Sequence, residues 1–277
     1  MQIKLASSYG FCFGVKRAIK QAEKTKDAAT IGPLIHNNDE IKRLKSDFNV
    51  STLENISELS NESKAIIRTH GITKSDLELL KKSNRQIIDA TCPFVKKPQE
   101  IVEKMSNEGY EIVIFGDKNH PEVKSVRSYA STNTYVVLDE EELKDVLIKN
   151  KVVLVSQTTK KVENFMKIAN YLIANVKEVR IFNTICDATF KNQEAVRQLS
   201  KESDVMIIIG GKSSSNTKQL YVIAKENCND SYLIENESEI DYSWFNNKTL
   251  CGISAGASTP NWIIEKVIEK IKKNITN

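Results

Sequence analysis

Three short apolar runs in this chain each stop at a cysteine, and that recurrence limits the fold more than any other feature. Gln2-Ile-Lys-Leu5 leads through a Gly10-Phe-Cys-Phe-Gly14 turn that holds Cys12. Arg85-Gln-Ile-Ile-Asp-Ala-Thr leads to Cys92, where Pro93 bars the strand from continuing because it has no N–H for a ladder. Val179-Arg-Ile-Phe182 leads through Asn183-Thr-Ile to Cys186. The three cysteines lie 80 and 94 residues apart. That spacing is too long for a solenoid repeat and suits three copies of a small α/β unit.

After each cysteine the apolar pattern changes from a period of two to a helical one. Val15, Ala18, Ile19 and Ala22 fall on one face. A second helix is expected over Gln99–Met105 with Pro98 in its first turn, and a third over Asn192–Leu199. Each helix precedes an apolar strand with a polar tip. The tips are His36-Asn37, His120-Pro-Glu122 and Ser213-Ser-Ser-Asn216. A further helix and strand complete each copy, ending at His70-Gly71, Gln157-Thr-Thr159 and Ser254-Ala-Gly-Ala-Ser258. Strands alternating with helices imply parallel sheets with right-handed crossovers. The expected repeats are residues 13–92, 93–186 and 187–277, with the strand in residues 1–12 joining the third. Ligands bind such sheets beyond the carboxyl ends of the strands. Packed about a pseudo-threefold axis, the three similar α/β domains form a trefoil whose tips and thiols all face one central cavity.

Residues 53–64 and 235–241 are rich in Asn, Ser and Glu and read as surface connections. The segment from Thr259-Pro260 to Ile271 reads as a capped amphipathic packing helix with Ile264, Val267, Ile268 and Ile271 inward.

The chain has 277 residues, 27% of them charged, with a net charge of +4 and no long block of one sign. This excludes a nucleic-acid-binding reading. No stretch approaches ~18 apolar residues, so no membrane span is expected and the cytoplasm is the default location. Five widely spaced cysteines do not make a disulfide framework. Of these, Cys251 lies in an apolar run and Cys228 has no partner motif, whereas Cys12, Cys92 and Cys186 are at matched positions. Structural zinc wants four ligands and a close Cys-x-x-Cys pair, which is lacking. A cubane iron–sulfur cluster takes four cysteines, so three would leave one iron open as a Lewis acid and redox centre.

The only histidines, His36, His70 and His120, are all at tips. With the Gly210-Gly-Lys-Ser-Ser-Ser-Asn-Thr217 turn and Ser258 they describe a polyanion site of diphosphate size. Glu122, beside a histidine and a rigid proline, is the natural proton donor there, with Thr158 and Thr159 able to position the proton. Two other classes fit parts of the pattern. A metal-stabilised binding protein for phosphorylated metabolites needs four closed ligands, and a thiol-redox enzyme needs a Cys-x-x-Cys.

Taken in order, Tyr9-Gly-Phe-Cys12-Phe-Gly-Val, His36-Asn37, Arg68-Thr-His70-Gly71, Ala90-Thr-Cys92-Pro93, His120-Pro-Glu122, Gln157-Thr-Thr159, Cys186-Asp-Ala-Thr, Gln193-Glu-Ala-Val, Ser214-Ser-Asn216 and Ala255-Gly-Ala-Ser258 span the chain. This set resembles the 4-hydroxy-3-methylbut-2-enyl diphosphate reductase family of the non-mevalonate isoprenoid pathway. The resemblance implies one [4Fe–4S] cluster on Cys12, Cys92 and Cys186. It implies a diphosphate substrate on His36, His70, His120, Ser214, Ser215, Asn216 and Ser258, with Thr158 and Glu122 at the hydroxymethyl end. The implied reaction is a two-electron reductive dehydroxylation to isopentenyl or dimethylallyl diphosphate, with Glu122 supporting protonation and ferredoxin or flavodoxin supplying electrons. Two departures from the family pattern concern local shape. Lys118-Asn119 replaces a frequent glycine, and Lys97-Pro98 replaces a frequent Val-His, so the second helix is expected to begin differently.

Overall fold

A computed structural model describes residues 1–59, 64–148 and 150–275 of the chain; the side chains of residues 274 and 275 are not part of that description. The chain opens with β1 (Gln2–Leu5), α1 (Phe13–Thr25), β2 (Ala28–Ile31), α2 (Asn38–Phe48) and β3 (Val50–Leu53). Next come β4 (Lys64–Ile67), α3 (Lys74–Lys82), β5 (Gln86–Asp89), α4 (Pro93–Asn107), β6 (Glu111–Phe115), α5 (Pro121–Arg127) and β7 (Thr134–Val137). They are followed by β8 (Lys151–Ser156), α6 (Val162–Asn175), β9 (Glu178–Ile181) and α7 (Asp187–Glu202). The last elements are β10 (Val205–Ile209), α8 (Ser215–Asn227), β11 (Ser231–Ile234), β12 (Leu250–Ala255) and α9 (Asn261–Ile275).

The strands make three four-stranded sheets, ordered β3-β2-β4-β5, β7-β6-β8-β9 and β11-β10-β12-β1, and the pairings are parallel throughout. Each sheet therefore has the same plan. Two inner strands are flanked by the strand that follows the tip helix and by the strand that leads to a cysteine. β1 takes that last place beside β12, with Leu5 opposite Ile253.

The inner strands read as continuous apolar runs because helices cover both faces. Every residue of β6 and of β10 is buried. By contrast, β9 exposes three of its four residues, which befits a sheet edge. Packing divides the chain into two compact units. Met1–Lys16, Ile35–Lys42 and Asp187–Asn277 gather around the third sheet, whereas Arg17–Leu34 and Arg43–Cys186 contain the first and second.

The structure corrects several local expectations. The helix after Cys92 begins at Pro93, and Pro98 lies inside it rather than in its first turn. Proline at the first helical position loses nothing, because that N–H has no helical partner anyway. Buried Pro98 forgoes one bond to Phe94 in exchange for packing. The changed Lys97-Pro98 pair thus leaves the start of the helix where the cysteine sets it. The edge strands β3 and β7 have no clear apolar period and are additional to the strands read from sequence, whereas β11 is the strand expected after Cys228. The connections also reach inward. Leu59 and Ile240 are buried, and Ile56 packs against the first core; residues 60–63 of the first connection lie outside the described residues. In α9, Ile263 joins Ile264, Val267 and Ile271 in the core, while Ile268 is partly buried.

Candidate active site

Each candidate thiol occupies the same structural position. Cys12 directly precedes α1, Cys92 is the N-cap of α4, and Cys186 directly precedes α7. The backbone N–H of each donates to the loop that follows the third strand of its sheet. Cys12 reaches Ala257 O at 3.2 Å, Cys92 reaches Thr69 O at 3.0 Å, and Cys186 reaches Thr158 O at 3.0 Å. One hydrogen bond, made three times, thus ties every thiol to a loop with a candidate ligand: Ser258, His70 and Thr158 itself. All three thiols are half-buried and outside any disulfide.

The Cys92 segment is fastened further. The Arg17 guanidinium donates to Thr91 O and Asp89 O, each at 3.2 Å, and Asp89 pairs with Lys96 at 2.5 Å. Burial pushes the Asp89 carboxyl up, but Lys96 and the Thr91 donors outweigh it and hold the group below the usual carboxylate range. Cys228 and Cys251 lie elsewhere, buried in the cores on the third sheet, where burial pushes the Cys251 thiol up to about 12.

Glu122, in the first turn of α5, is 2% exposed and gives both carboxylate oxygens to one residue. Thr158 N–H donates to Oε1 at 2.6 Å and Thr158 Oγ1 donates to Oε2 at 2.8 Å. Burial raises the Glu122 pKa to about 7 against these bonds and against the charge of Lys160. A buried acid that takes up its proton near neutrality is a suitable proton donor. His120 caps the same helix, its Nδ1 accepting from Glu122 N–H at 3.2 Å, so a neutral ring carries its proton on Nε2. The turn before it needs no glycine, because Asp117 organises it by accepting from Asn119 N–H at 2.8 Å and from His120 N–H at 3.0 Å.

The His70 and His120 rings meet edge to face, with centroids 5.4 Å apart. A buried relay underlies the His70 turn. Gln99 Nε2 donates to Ser125 Oγ at 2.7 Å, and Ser125 Oγ donates to Ile72 O at 2.8 Å. Gly71 adopts φ +70° directly above it, where a Cβ would lie 2.7 Å from Gln99 Nε2.

The third sheet carries the remaining candidates. Ser214 caps α8 by accepting from Thr217 N–H at 3.3 Å, and Ser215 and Asn216 open the helix, where backbone N–H groups favour an anion. Asn216 is 5% exposed, and both ends of its amide lack a hydrogen-bond partner among the described residues. The unmet Nδ2–H at a helix start fits an oxyanion ligand that accepts from it. Ser258 Oγ donates to His36 O at 3.2 Å. Gly211 lies so close beneath His36 that a Cβ would come within 2.4 Å of its carbonyl oxygen. Gly211→Ala is therefore expected to destabilise the protein by about 1–3 kcal/mol, the usual scale for overpacking. It should also raise KM for a diphosphate substrate, and thermal melting with steady-state kinetics checks both.

Sequence reasoning missed Arg17, Gln99, Ser125 and Trp262, whose roles come from long-range contacts. Only Gln99, just past a proline within the helix after a cysteine, carried a local hint.

The family model described as LytB protein matches residues 3–272. A 4-hydroxy-3-methylbut-2-enyl diphosphate reductase of Campylobacter lari is 69% identical over 99% of this chain and 98% of the relative. That of Campylobacter concisus is 70% identical over 99% of this chain and all of its own. A solved structure of (E)-4-hydroxy-3-methyl-but-2-enyl diphosphate reductase, terminal enzyme of the non-mevalonate pathway, matches 98% of this chain and 99% of its own, at 43% identity and TM-score 0.72. The E-1-hydroxy-2-methyl-but-2-enyl-4-diphosphate reductase of Plasmodium falciparum matches 96% of this chain and 86% of its own, at 27% identity and TM-score 0.89.

Proposed function

The chain belongs to the LytB family, and from that premise we infer that it reduces (E)-4-hydroxy-3-methylbut-2-enyl diphosphate to isopentenyl and dimethylallyl diphosphate, the last step of the non-mevalonate pathway. The reaction consumes two electrons and two protons, breaks the allylic C–O bond and releases water. The observation that carries the reading is the Glu122–Thr158 pair. It is a buried acid, oriented at both oxygens, whose proton is held near neutral pH.

The family is one of iron–sulfur enzymes, and the finer proposal is one [4Fe–4S] cluster held by Cys12, Cys92 and Cys186. The donor set fits. Three half-buried thiols outside any disulfide each precede a helix, whose dipole favours an anionic ligand, and the two other cysteines are committed to cores. When bound, the cluster would supply single-electron transfer and Lewis acidity at the iron without a protein thiolate.

The residues of the chain do the rest. His36, His70, His120, Ser214, Ser215, Asn216 and Ser258 bind the diphosphate and fix its orientation. Thr158 holds Glu122 in place and Glu122 delivers a proton to the departing hydroxyl. Ferredoxin or flavodoxin is the proposed electron donor and the cytoplasm the proposed location. No helix among the described residues is long and apolar enough to cross a membrane.

Anaerobic reconstitution tests the reading. It should give a brown protein with about four irons per chain that forms both products with reduced methyl viologen. A colourless zinc protein without turnover would overturn it. A pH profile adds a second test. Glu122 is a donor only while protonated, so turnover should fall as pH rises through about 7.

A further inference from the structure

The turn that carries His36 is encoded in the first repeat but is grouped with the third sheet. Ile35–Lys42 belongs to the compact unit built on the third sheet, although the strands before and after it, β2 and β3, belong to the first. A segment that leaves its own sheet needs local anchors, since it has no ladder to hold it.

The backbone of His36 is fixed by the Ser258 hydroxyl and by the close approach of Gly211. The following turn is fixed by Asn37, whose Oδ1 accepts from Glu40 N–H at 2.9 Å. Two side-chain contacts then pin the turn from outside. Trp262 Nε1 donates to Glu40 Oε2 at 3.0 Å, across 222 residues of sequence. Asn236 Nδ2 donates to Asp39 Oδ2 at 2.9 Å. Of these two contacts the first is the stronger constraint. Glu40 is only 1% exposed, whereas Asn236 and Asp39 are both partly exposed.

We propose that Glu40 and Trp262 are positioning residues for His36: the indole–carboxylate bond sets the height and direction from which its imidazole meets the substrate diphosphate. The proposal rests on the reading that His36 binds that diphosphate. It predicts a loss in ground-state binding with little loss in chemistry, because the proton-donating pair Glu122–Thr158 is held by its own two hydrogen bonds. It also predicts dependence on the hydrogen bond rather than on ring packing or charge. Phenylalanine keeps most of the ring at position 262 without the N–H. Glutamine keeps an acceptor at position 40, whereas leucine does not.

The test is steady-state kinetics of the reconstituted holoenzyme with reduced methyl viologen, paired with the inhibition constant of inorganic diphosphate. Trp262→Phe and Glu40→Leu should each raise KM and the inhibition constant about five- to thirtyfold, with kcat within about twofold, the range expected when a hydrogen-bonding group loses its partner. Glu40→Gln should stay within about threefold of the parent in both. The double variant Trp262→Phe, Glu40→Leu should be no worse than Glu40→Leu alone, which already removes the bond that Trp262→Phe removes. Unchanged KM and inhibition constant in Trp262→Phe, or a lowered melting temperature as its sole effect, would overturn the proposal. His36→Ala separates the two levels of inference. If it too leaves both constants unchanged, the diphosphate role of His36 fails. If it raises them while Trp262→Phe does not, only the positioning role fails.

Discussion

Replacing Glu122 by glutamine should leave iron content and substrate affinity close to those of the parent and remove at least about a hundredfold of turnover. General acid catalysis by a positioned side chain contributes about 10²–10⁴ in rate, and glutamine has no proton to give. Its geometry can be kept. Thr158 N–H can still donate to the amide oxygen, and the Thr158 hydroxyl can turn from donor to acceptor for the amide nitrogen. The fall in rate above about pH 7 should vanish with the carboxyl. Stability supplies an independent reading with a definite sign. The folded-state pKa of Glu122 is raised, so its protonated form contributes stability that is complete below the ordinary carboxylate range and lost as pH rises through about 7. The parent should therefore lose melting temperature between pH 5 and pH 8 by an increment that the glutamine variant lacks. A variant with parental turnover at pH 7 would exclude Glu122 as the donor, whatever the melting curves show.

What the sequence could reveal here follows from the range over which each feature acts. The inner strands were legible because burial on both faces leaves runs such as Val205-Met-Ile-Ile-Ile209, all within one short window. The cysteine positions were legible because they recur, and recurrence needs no knowledge of contacts. The edge strands β3 and β7 were not. Val50–Leu53 and Thr134–Val137 are four residues long and only partly buried, and their pairing partners rather than their own pattern make them strands. Pro98 misled for a related reason, since a proline in a first turn and a proline inside a helix look alike until the start of the helix is known.

The candidate site divides along the same line. His70, His120, Glu122 and Thr158 were identified from loop motifs, and the structure joins His70 to His120 and Glu122 to Thr158. The Gln99–Ser125 relay beneath Gly71 and the Glu40–Trp262 bond could not be read off. Each joins residues 26 or 222 positions apart whose individual surroundings in the sequence are ordinary. Supporting contacts of this kind fix a site as firmly as the residues that touch substrate, yet they leave no local trace.

The second large effect is expected for Cys92→Ser, which should lose the cluster and essentially all turnover together while the protein remains folded. A serine hydroxyl stays protonated at neutral pH and does not replace a thiolate on iron, so two protein ligands cannot retain a cluster proposed to need three. The fold has no reason to suffer. The bond from residue 92 to Thr69 O uses the backbone N–H, and the Arg17 clamp holds backbone carbonyls at Thr91 and Asp89. Cys92 is also the N-cap of α4 without a capping bond from its own side chain. Serine is among the preferred residues at that position, worth about 0.5–2 kcal/mol over a non-capping side chain. Cluster-free Cys92→Ser should accordingly melt no lower than cluster-free parent, and possession of the cluster alone should separate the two. Cys228→Ser is the matched control, a cysteine also outside any disulfide but buried at the end of α8 in a core on the third sheet, and it should keep full iron and turnover. Iron content, visible absorbance and melting temperature on the same preparations decide the matter. Full iron in Cys92→Ser, or lost iron in Cys228→Ser with the fold intact, would mean that the three recurring thiols are not the ligand set.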